Sequence, residues 1–127
     1  CRIRFNESGS NKAQIAYSHD NDALELIAQS GNIIRFFSGG NHVSNIDTNG
    51  HLYPQVNNTH DLGTTSLRWR NLYVNDLQLS NEAKKDEGGN DVDGTWGDWT
   101  LQEGESDIYM INNRTGKKYS MMLKEVT

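Results

Sequence analysis

The residues best suited to chemistry lie in the last third of the chain, where two tryptophans stand three positions apart among acidic side chains. Trp96 and Trp99 lie on either side of Asp98, and Tyr109 follows on the next predicted strand. An aromatic ring face packs against the apolar C–H face of a pyranose, while a carboxylate binds its hydroxyls. These four residues are therefore candidates for a glycan-binding site. The alternative, which residue type alone favours, is that both tryptophans fill the core of a small β-unit.

Two polar segments, residues 19–22 and 90–94, carry oxygen ligands at alternating positions, as calcium-binding loops do. Neither has the distal glutamate of such a loop, so we interpret both as turns whose side chains bond to their own backbone. The four histidines lack metal-ligand spacing, and the single cysteine is remote from them in sequence. We expect no metal and no cofactor. Three copies of His42 or His51 around a symmetry axis are the alternative.

Short β-strands are the elements that must position these residues. In residues 1–60, short apolar runs alternate with Gly, Asn and Asp turns at close intervals, which is typical of an all-β chain. The predicted strands are residues 2–5, 13–17, 24–28, 33–37 and 42–46, and residues 52–54 are the exit from the last turn. Residues 47–50 are predicted to form a hairpin turn.

The rest of the chain divides into three predicted segments. In residues 61–80 we expect a short helical turn at 66–71 and a strand at 72–79. Residues 81–94 are polar and charged, which indicates a linker or long loop. Residues 95–127 are predicted to form a small three-stranded unit. Its predicted strands are 96–101, 107–112 and 117–126, with a hairpin turn at 112–116.

Composition argues against two classes of partner. The chain has 12 basic and 17 acidic residues and no basic stripe, so we expect no nucleic acid. Its longest apolar run is interrupted by Arg35 and is far shorter than the ~20 residues that span a bilayer, so we expect no membrane insertion. Only 34% of residues are hydrophobic. This low share predicts apolar faces that other copies of the chain complete.

Residues 61–79 contain a spaced set of glycine, arginine and aromatic residues. The set, here called the Arg-Trp element, is Leu62, Gly63, Thr64, Arg68, Trp69, Leu72 and Tyr73. It resembles the pattern Leu-Gly-(Ser/Thr)-x-x-x-Arg-Trp-x-x-(Leu/Val/Ile)-Tyr, which recurs near the C-termini of bacteriophage tail fibres and tailspikes. Residues 32–40 and 46–52 resemble phrases that precede this element in phage fibres. The resemblance covers roughly the first two-thirds of the chain.

The resemblance implies a short-stranded, intertwined, trimeric β-structure in which neighbouring chains meet each sheet edge. It implies a segment of a virion tail appendage, near the C-terminus of the fibre, that forms a homotrimer and adheres to a glycan or protein of the host-cell surface. The aromatic cluster of Trp96 and Trp99 is then the candidate contact with the receptor.

In endosialidase-type chaperone segments of phage fibres, a self-cleaving Ser-Asp-x-Arg-x-Lys motif follows the Arg-Trp element. Ser80 and Lys85 match its serine and lysine, whereas Asn81 and Ala83 depart from its aspartate and arginine. A serine nucleophile needs a positioned base, so we expect no enzyme and no catalytic residue. The alternative function is a trimerisation or assembly module that self-cleaves near Ser80 and binds no receptor of its own.

Overall fold

The chain folds into short antiparallel strands joined by tight turns, which confirms the predicted all-β class. The computed structural model describes residues 1–126. In those residues ten strands form three sheets, and a single 3-10 turn lies at Glu82–Lys84. The chain divides into two compact units, Cys1–Leu62 and a second that begins at Gly63.

The first sheet has the order β1-β2-β3, with β1 at Arg2–Glu7, β2 at Ser10–Ser18 and β3 at Ala23–Ala28. Its register places apolar residues opposite one another, since Ile3 pairs with Ile15 and Ile15 with Leu26. Because side chains alternate between the faces of a strand, one face of this sheet is apolar throughout. Its members are Ile3, Phe5, Ala13, Ile15, Tyr17, Leu24, Leu26 and Ala28.

The second sheet has the order β4-β5-β6, with β4 at Ile34–Ser38, β5 at Asn41–Ile46 and β6 at Leu52–Pro54. Its most buried side chain is polar: Asn45 is 2% exposed. Asn45 Nδ2 donates to Gln55 Oε1 at 3.1 Å, and Asn45 Oδ1 lies 2.8 Å from Nε2 of His42. The His42 ring in turn stacks on Phe37, with 4.9 Å between the ring centroids. A hydrogen-bonded amide therefore occupies the centre of this small sheet.

The third sheet has the order β10-β9-β8-β7 and forms the second unit. Its strands are β7 at Leu77–Ser80, β8 at Asp98–Glu103, β9 at Ile108–Asn112 and β10 at Lys118–Ser120. The three strands predicted in residues 95–127 are present, although the last is only Lys118–Ser120, and β7 adds a fourth strand to their sheet. Leu77 and Leu79 of β7 pair with Leu101 and Trp99 of β8, so this apolar alternation extends the sheet.

The predicted helical turn at residues 66–71 is absent, and the strand predicted at 72–79 is present only in its last residues. Leu67 N–H donates to Thr64 Oγ1 at 2.9 Å, and Thr64 N–H donates to Leu67 O at 2.8 Å, which closes a loop in place of a helix. The strand begins only at Leu77, because within residues 1–126 no strand pairs with residues 72–76. The hairpin turn predicted at 112–116 was correct, and Gly116 takes a φ of 71° there.

The chain buries very little of its own surface. Its accessible area is 11034 Å², whereas two independent domains of about 7 kDa each would together expose about 8,200 Å². Among the described residues, Ala16 is the one apolar side chain that is buried. The units therefore lack the apolar core that normally stabilises a folded chain.

No helix within residues 1–126 has the length and apolar character that a membrane crossing requires.

Candidate functional site

An open groove of about 840 Å³ lies in the second unit, at one end of the third sheet. Three segments line it: the ends of β7 and β8, the loop between these strands, and the turn after β9. We call it the Trp96 groove, because Trp96 lies where the loop and the turn meet. Trp96 and Trp99 both line it, as the candidate glycan site required.

The loop that forms one wall is held by its own side chains. Asn90 Oδ1 accepts the backbone N–H groups of Val92 and Asp93, while Asn90 Nδ2 donates to the Thr95 carbonyl at 2.7 Å. Asp93 Oδ1 accepts both the N–H and the hydroxyl of Thr95, at 3.0 and 2.8 Å. This confirms the interpretation of residues 90–94 as a turn that bonds to its own backbone.

Asp93 is ionised at neutral pH. Three hydrogen bonds hold the pKa of Asp93 below its usual range. The largest effect comes from the backbone N–H of Thr95, and the Thr95 hydroxyl and the Asn90 amide add smaller ones. Each of these donors stabilises the charged carboxylate more than the neutral acid. The loop therefore carries a fixed negative charge in the groove wall.

Arg114 lies against Trp96 on the turn side of the groove. Its guanidinium carbon is 3.8 Å from the indole centroid, and Nη1 donates to the Trp96 carbonyl at 2.8 Å. Asn112 Oδ1 accepts the N–H groups of Arg114 and Thr115 at 3.0 and 3.1 Å, which fixes the turn that presents the arginine. The cation–π contact and the Nη1 hydrogen bond hold the plane of the guanidinium. The bonds to Asn112 hold the backbone that carries it.

Trp99 forms the apolar part of the groove. It lies on β8 opposite Leu79 of β7, and its ring centroid is 5.6 Å from that of Tyr119 on β10. Its indole also packs on Gly97, where an added Cβ would lie 2.8 Å from Nε1. The Trp99 ring is half-buried and remains open to a ligand on the groove side.

Asp98 and Tyr109, the other two predicted contacts, do not line the groove. Asp98 Oδ1 accepts a hydrogen bond from Asn113 Nδ2 at 2.8 Å, on the face of β8 opposite Trp99. The Tyr109 ring packs against Gly104 at the far end of the β8–β9 hairpin. The groove instead contains Arg114, which sequence reasoning missed. The predicted hairpin turn was the signal that could have found it, since that turn brings residues 113–115 back toward β8.

The serine and lysine of the self-cleavage alternative do not contact each other in the described part of the chain. Ser80 Oγ accepts the Glu82 N–H at 3.3 Å, and Lys85 Nζ lies 3.5 Å from Glu82 Oε1. The lysine therefore lies against a carboxylate and is not positioned as a base for the serine.

The Arg-Trp element is exposed. Gly63 takes a φ of 92°, and a Cβ there would lie 3.0 Å from Leu67 O, so glycine fits the closed loop described above. The side chains beyond it point largely into solvent. Leu62, Trp69, Leu72 and Tyr73 are all exposed large apolar residues, with Tyr73 at 89%. Arg68 is exposed as well.

Two further polar turns lie in the first unit. Asp47 Oδ1 accepts the N–H groups of Asn49 and His51, and the His51 ring lies 3.2 Å from Asp47 Oδ2. The hydrogen bond from the His51 backbone N–H lowers the pKa of Asp47. The Asn49 N–H and the His51 ring lower that pKa further. At the β2–β3 turn, Tyr17 donates its hydroxyl to Asp22 at 2.7 Å, which raises the pKa of Tyr17.

In the described residues no group of His, Cys, Asp and Glu is arranged to hold a metal ion.

The chain is all-β, and its second unit carries an open groove lined by aromatic and polar side chains. Comparison with family models, with curated proteins and with solved structures finds no match to this chain.

Proposed function

We propose that the chain is a C-terminal segment of a virion tail fibre or tailspike. In this role it forms a homotrimer and attaches the particle to a host-cell surface receptor, a glycan bound in the Trp96 groove. The receptor contacts are Trp96 and Trp99, and no enzymatic step is part of the proposal.

The observation that carries the proposal is the uncovered apolar face of the first sheet. Leu24 is 73% exposed, Ile3 60% and Leu26 55%, although the register gathers them on one face. A sheet of this kind is stable in water only when a second layer covers its apolar face. Other copies of the same chain supply that layer in an intertwined homo-oligomer.

The total area supports the same conclusion. The chain exposes about 2,800 Å² more than two ordinary domains of its size would. Obligate interfaces bury areas of this order and are more apolar than transient ones. The exposed Arg-Trp element adds to the uncovered apolar surface and is the segment that resembles phage fibres.

The adhesion half of the proposal rests on the Trp96 groove. It combines the half-buried indole of Trp99 with amide and guanidinium groups at its rim, the combination that sugar recognition requires. Loops and turns held by their own hydrogen bonds form its walls, so little ordering entropy is lost on binding.

The solution mass of the full chain, measured by light scattering beside denaturing mass spectrometry, tests the assembly half. Three chains of 14.3 kDa each in one particle is the expected result. A stable folded monomer would overturn the fibre proposal. Shorter chains in the denaturing spectrum would point to cleavage instead.

Retention of the labelled chain on an array of bacterial surface glycans tests the adhesion half. Trp96→Ala is expected to weaken retention by about 10-fold or more at unchanged particle mass. The control is Val92→Ala, because Val92 is 95% exposed in the same loop and does not line the groove. Equal losses in both variants would contradict a site at Trp96.

A second candidate is a trimerisation or assembly module that binds no receptor. The observation that favours it is the stacking of Arg114 on Trp96, which already covers one indole face. Under this alternative the particle mass is that of a trimer, but the chain binds neither glycans nor cells.

A further inference from the structure

We infer that the Trp96 groove binds an anionic sugar, with the carboxylate or phosphate of that sugar on Arg114. This inference rests on the proposed adhesion function and names the class of glycan. The chain has a net charge of −5, so an anionic ligand would not be drawn by the molecule as a whole. The local geometry of the groove must therefore account for it.

Arg114 is the first element of that geometry. Within residues 1–126 the only hydrogen bond of its guanidinium is the one from Nη1 to the Trp96 carbonyl, and no carboxylate oxygen lies within 4.0 Å of it. A guanidinium has five N–H donors in a planar fork that matches carboxylate and phosphate oxygens. Stacking on Trp96 holds the plane of that fork before any ligand arrives. The arginine is thus a preorganised donor without an acidic partner.

Two asparagines in the same groove also present donors. Asn112 Oδ1 accepts the N–H groups of Arg114 and Thr115, and Asn81 Oδ1 accepts the Gly97 N–H at 2.7 Å. These backbone donors fix which end of each amide is oxygen, so the NH₂ group of each asparagine points away from the backbone bond. Neither NH₂ group has an acceptor in the described residues. These two NH₂ groups and the remaining N–H donors of the Arg114 guanidinium have no acceptor in the described residues.

The acidic residues nearby do not neutralise this arrangement. Asp93 Oδ1 is engaged by Thr95 and by Asn90, and Asp98 is held by Asn113 outside the groove. The fixed charge of Asp93 instead repels an anion from the loop wall. A ligand with one charged group is therefore oriented with that group toward the turn that carries Arg114.

The apolar part of the groove selects a sugar over a simple anion. Leu79 and the half-buried Trp99 lie side by side on β7 and β8 and give a ring something to pack against. An inorganic phosphate would use the donors alone. A sugar acid or sugar phosphate would use both the donors and the indole face.

The test uses the full chain and pairs of probes that differ only in the presence of the charged group. One arm compares uronate-containing oligosaccharides with their carboxyl-reduced forms, and the other compares phosphorylated oligosaccharides with their dephosphorylated forms. We expect the charged member of one arm to bind at least about 10-fold more tightly than its neutral counterpart. The arm that responds identifies the group as carboxylate or phosphate.

Arg114→Gln is expected to abolish this charge preference, and Arg70→Gln is its control. Arg70 is an exposed arginine of the same unit that does not line the groove. Because Arg114→Gln also removes the stacking on Trp96, Asn112→Asp is the second variant. Its carboxylate still accepts the two turn N–H groups, but it removes the NH₂ donor and adds a negative charge, so binding of the charged probe should fall at least about 10-fold.

Each outcome separates this inference from the proposed function. Equal binding of charged and neutral probes would overturn the anionic ligand and leave glycan adhesion standing. A charge preference that persists in both Arg114→Gln and Asn112→Asp would overturn the groove as its site. Attachment to cells without binding to any glycan probe would overturn both the anionic ligand and the glycan receptor. A monomer that binds neither cells nor glycans would overturn the proposed function itself.

Discussion

Hydrogen bonds made by polar side chains hold the local structure of this chain. Few apolar side chains are buried that could do so. In the second sheet the amide of Asn45 links His42 to Gln55 and is almost inaccessible to solvent. A buried polar group that loses its partner costs about 1–3 kcal/mol, more than the bond itself contributes. The sheet therefore depends on an amide where larger domains depend on aliphatic packing.

We expect Asn45→Ala to lower the free energy of unfolding by about 1–3 kcal/mol, since it removes two hydrogen bonds that each contribute about 0.5–1.5 kcal/mol. Asn41→Ala is the control, because the Asn41 side chain is exposed and makes only a 3.4 Å bond to Gly39 O. Denaturant unfolding at one protein concentration measures both variants. Equal stability of the two would show that the Asn45 network contributes nothing.

The carboxylate of Asp93 predicts a pH effect on the loop that it holds. Its pKa is lower in the folded chain than in the unfolded one, so the bonds to Thr95 persist above the unfolded pKa. They are lost as the pH falls through the lower, folded value. The amide resonance of Thr95, followed by NMR during acid titration, should shift with a midpoint below the ordinary aspartate range.

Asp93→Asn should remove that titration from the Thr95 resonance, whereas Asp91→Asn should leave it in place. Asp91 lies in the same loop but makes no side-chain hydrogen bond within residues 1–126. A midpoint at or above the ordinary aspartate value would contradict the bonding described for Asp93.

Of the four contacts predicted from residue types, two line the groove. Trp96 and Trp99 were found because aromatic rings near acids are typical of sugar contacts. Asp98 was included because it is adjacent in sequence, yet strand alternation places its side chain on the opposite face from Trp99. Arg114 lies 18 residues from Trp96, and only the pairing of β8 with β9 brings the two together.

At the scale of elements, strands with clear alternation were predictable, whereas the structure of residues 66–79 was not. Each strand predicted in residues 1–60 is present with small changes in its bounds, because Gly and Asn turns delimit every run. In residues 66–79 the spacing of Leu, Trp and Tyr fits two periodicities. The hydrogen bond that Thr64 Oγ1 accepts from Leu67 N–H closes a loop that follows neither periodicity, and periodicity carries no information about such a bond.

The apolar face of the first sheet gives a test of assembly at this scale. Leu26→Asp places a charge on that face and should dissociate the particle, since a buried unpaired carboxylate costs several kcal/mol. Arg4→Asp is the control, because Arg4 pairs with Gln14 on the opposite face of the same sheet. Sedimentation velocity distinguishes the two. A particle mass unchanged by Leu26→Asp would mean that this face is not the interface.

For the whole molecule, stability and association are expected to be one process. In the proposed trimer, a chain that exposes 11034 Å² and buries one apolar side chain among its described residues would gain its hydrophobic stabilisation from neighbouring copies. The folded state is then the assembled state. Its stability must rise with the concentration of the chain, which would not be true of a monomeric domain.

For a trimer that unfolds to three separate chains, each tenfold rise in protein concentration stabilises the particle by about 2.7 kcal/mol. Shared among three chains of 127 residues, this raises Tm by about 3 °C per tenfold increase. Calorimetry over a hundredfold range of concentration measures that slope. Asn45→Ala should lower every Tm and leave the slope unchanged, because it weakens one sheet without altering the number of chains. A Tm independent of concentration would mean that the chain is stable as a monomer, and its apolar faces would then need a partner other than itself.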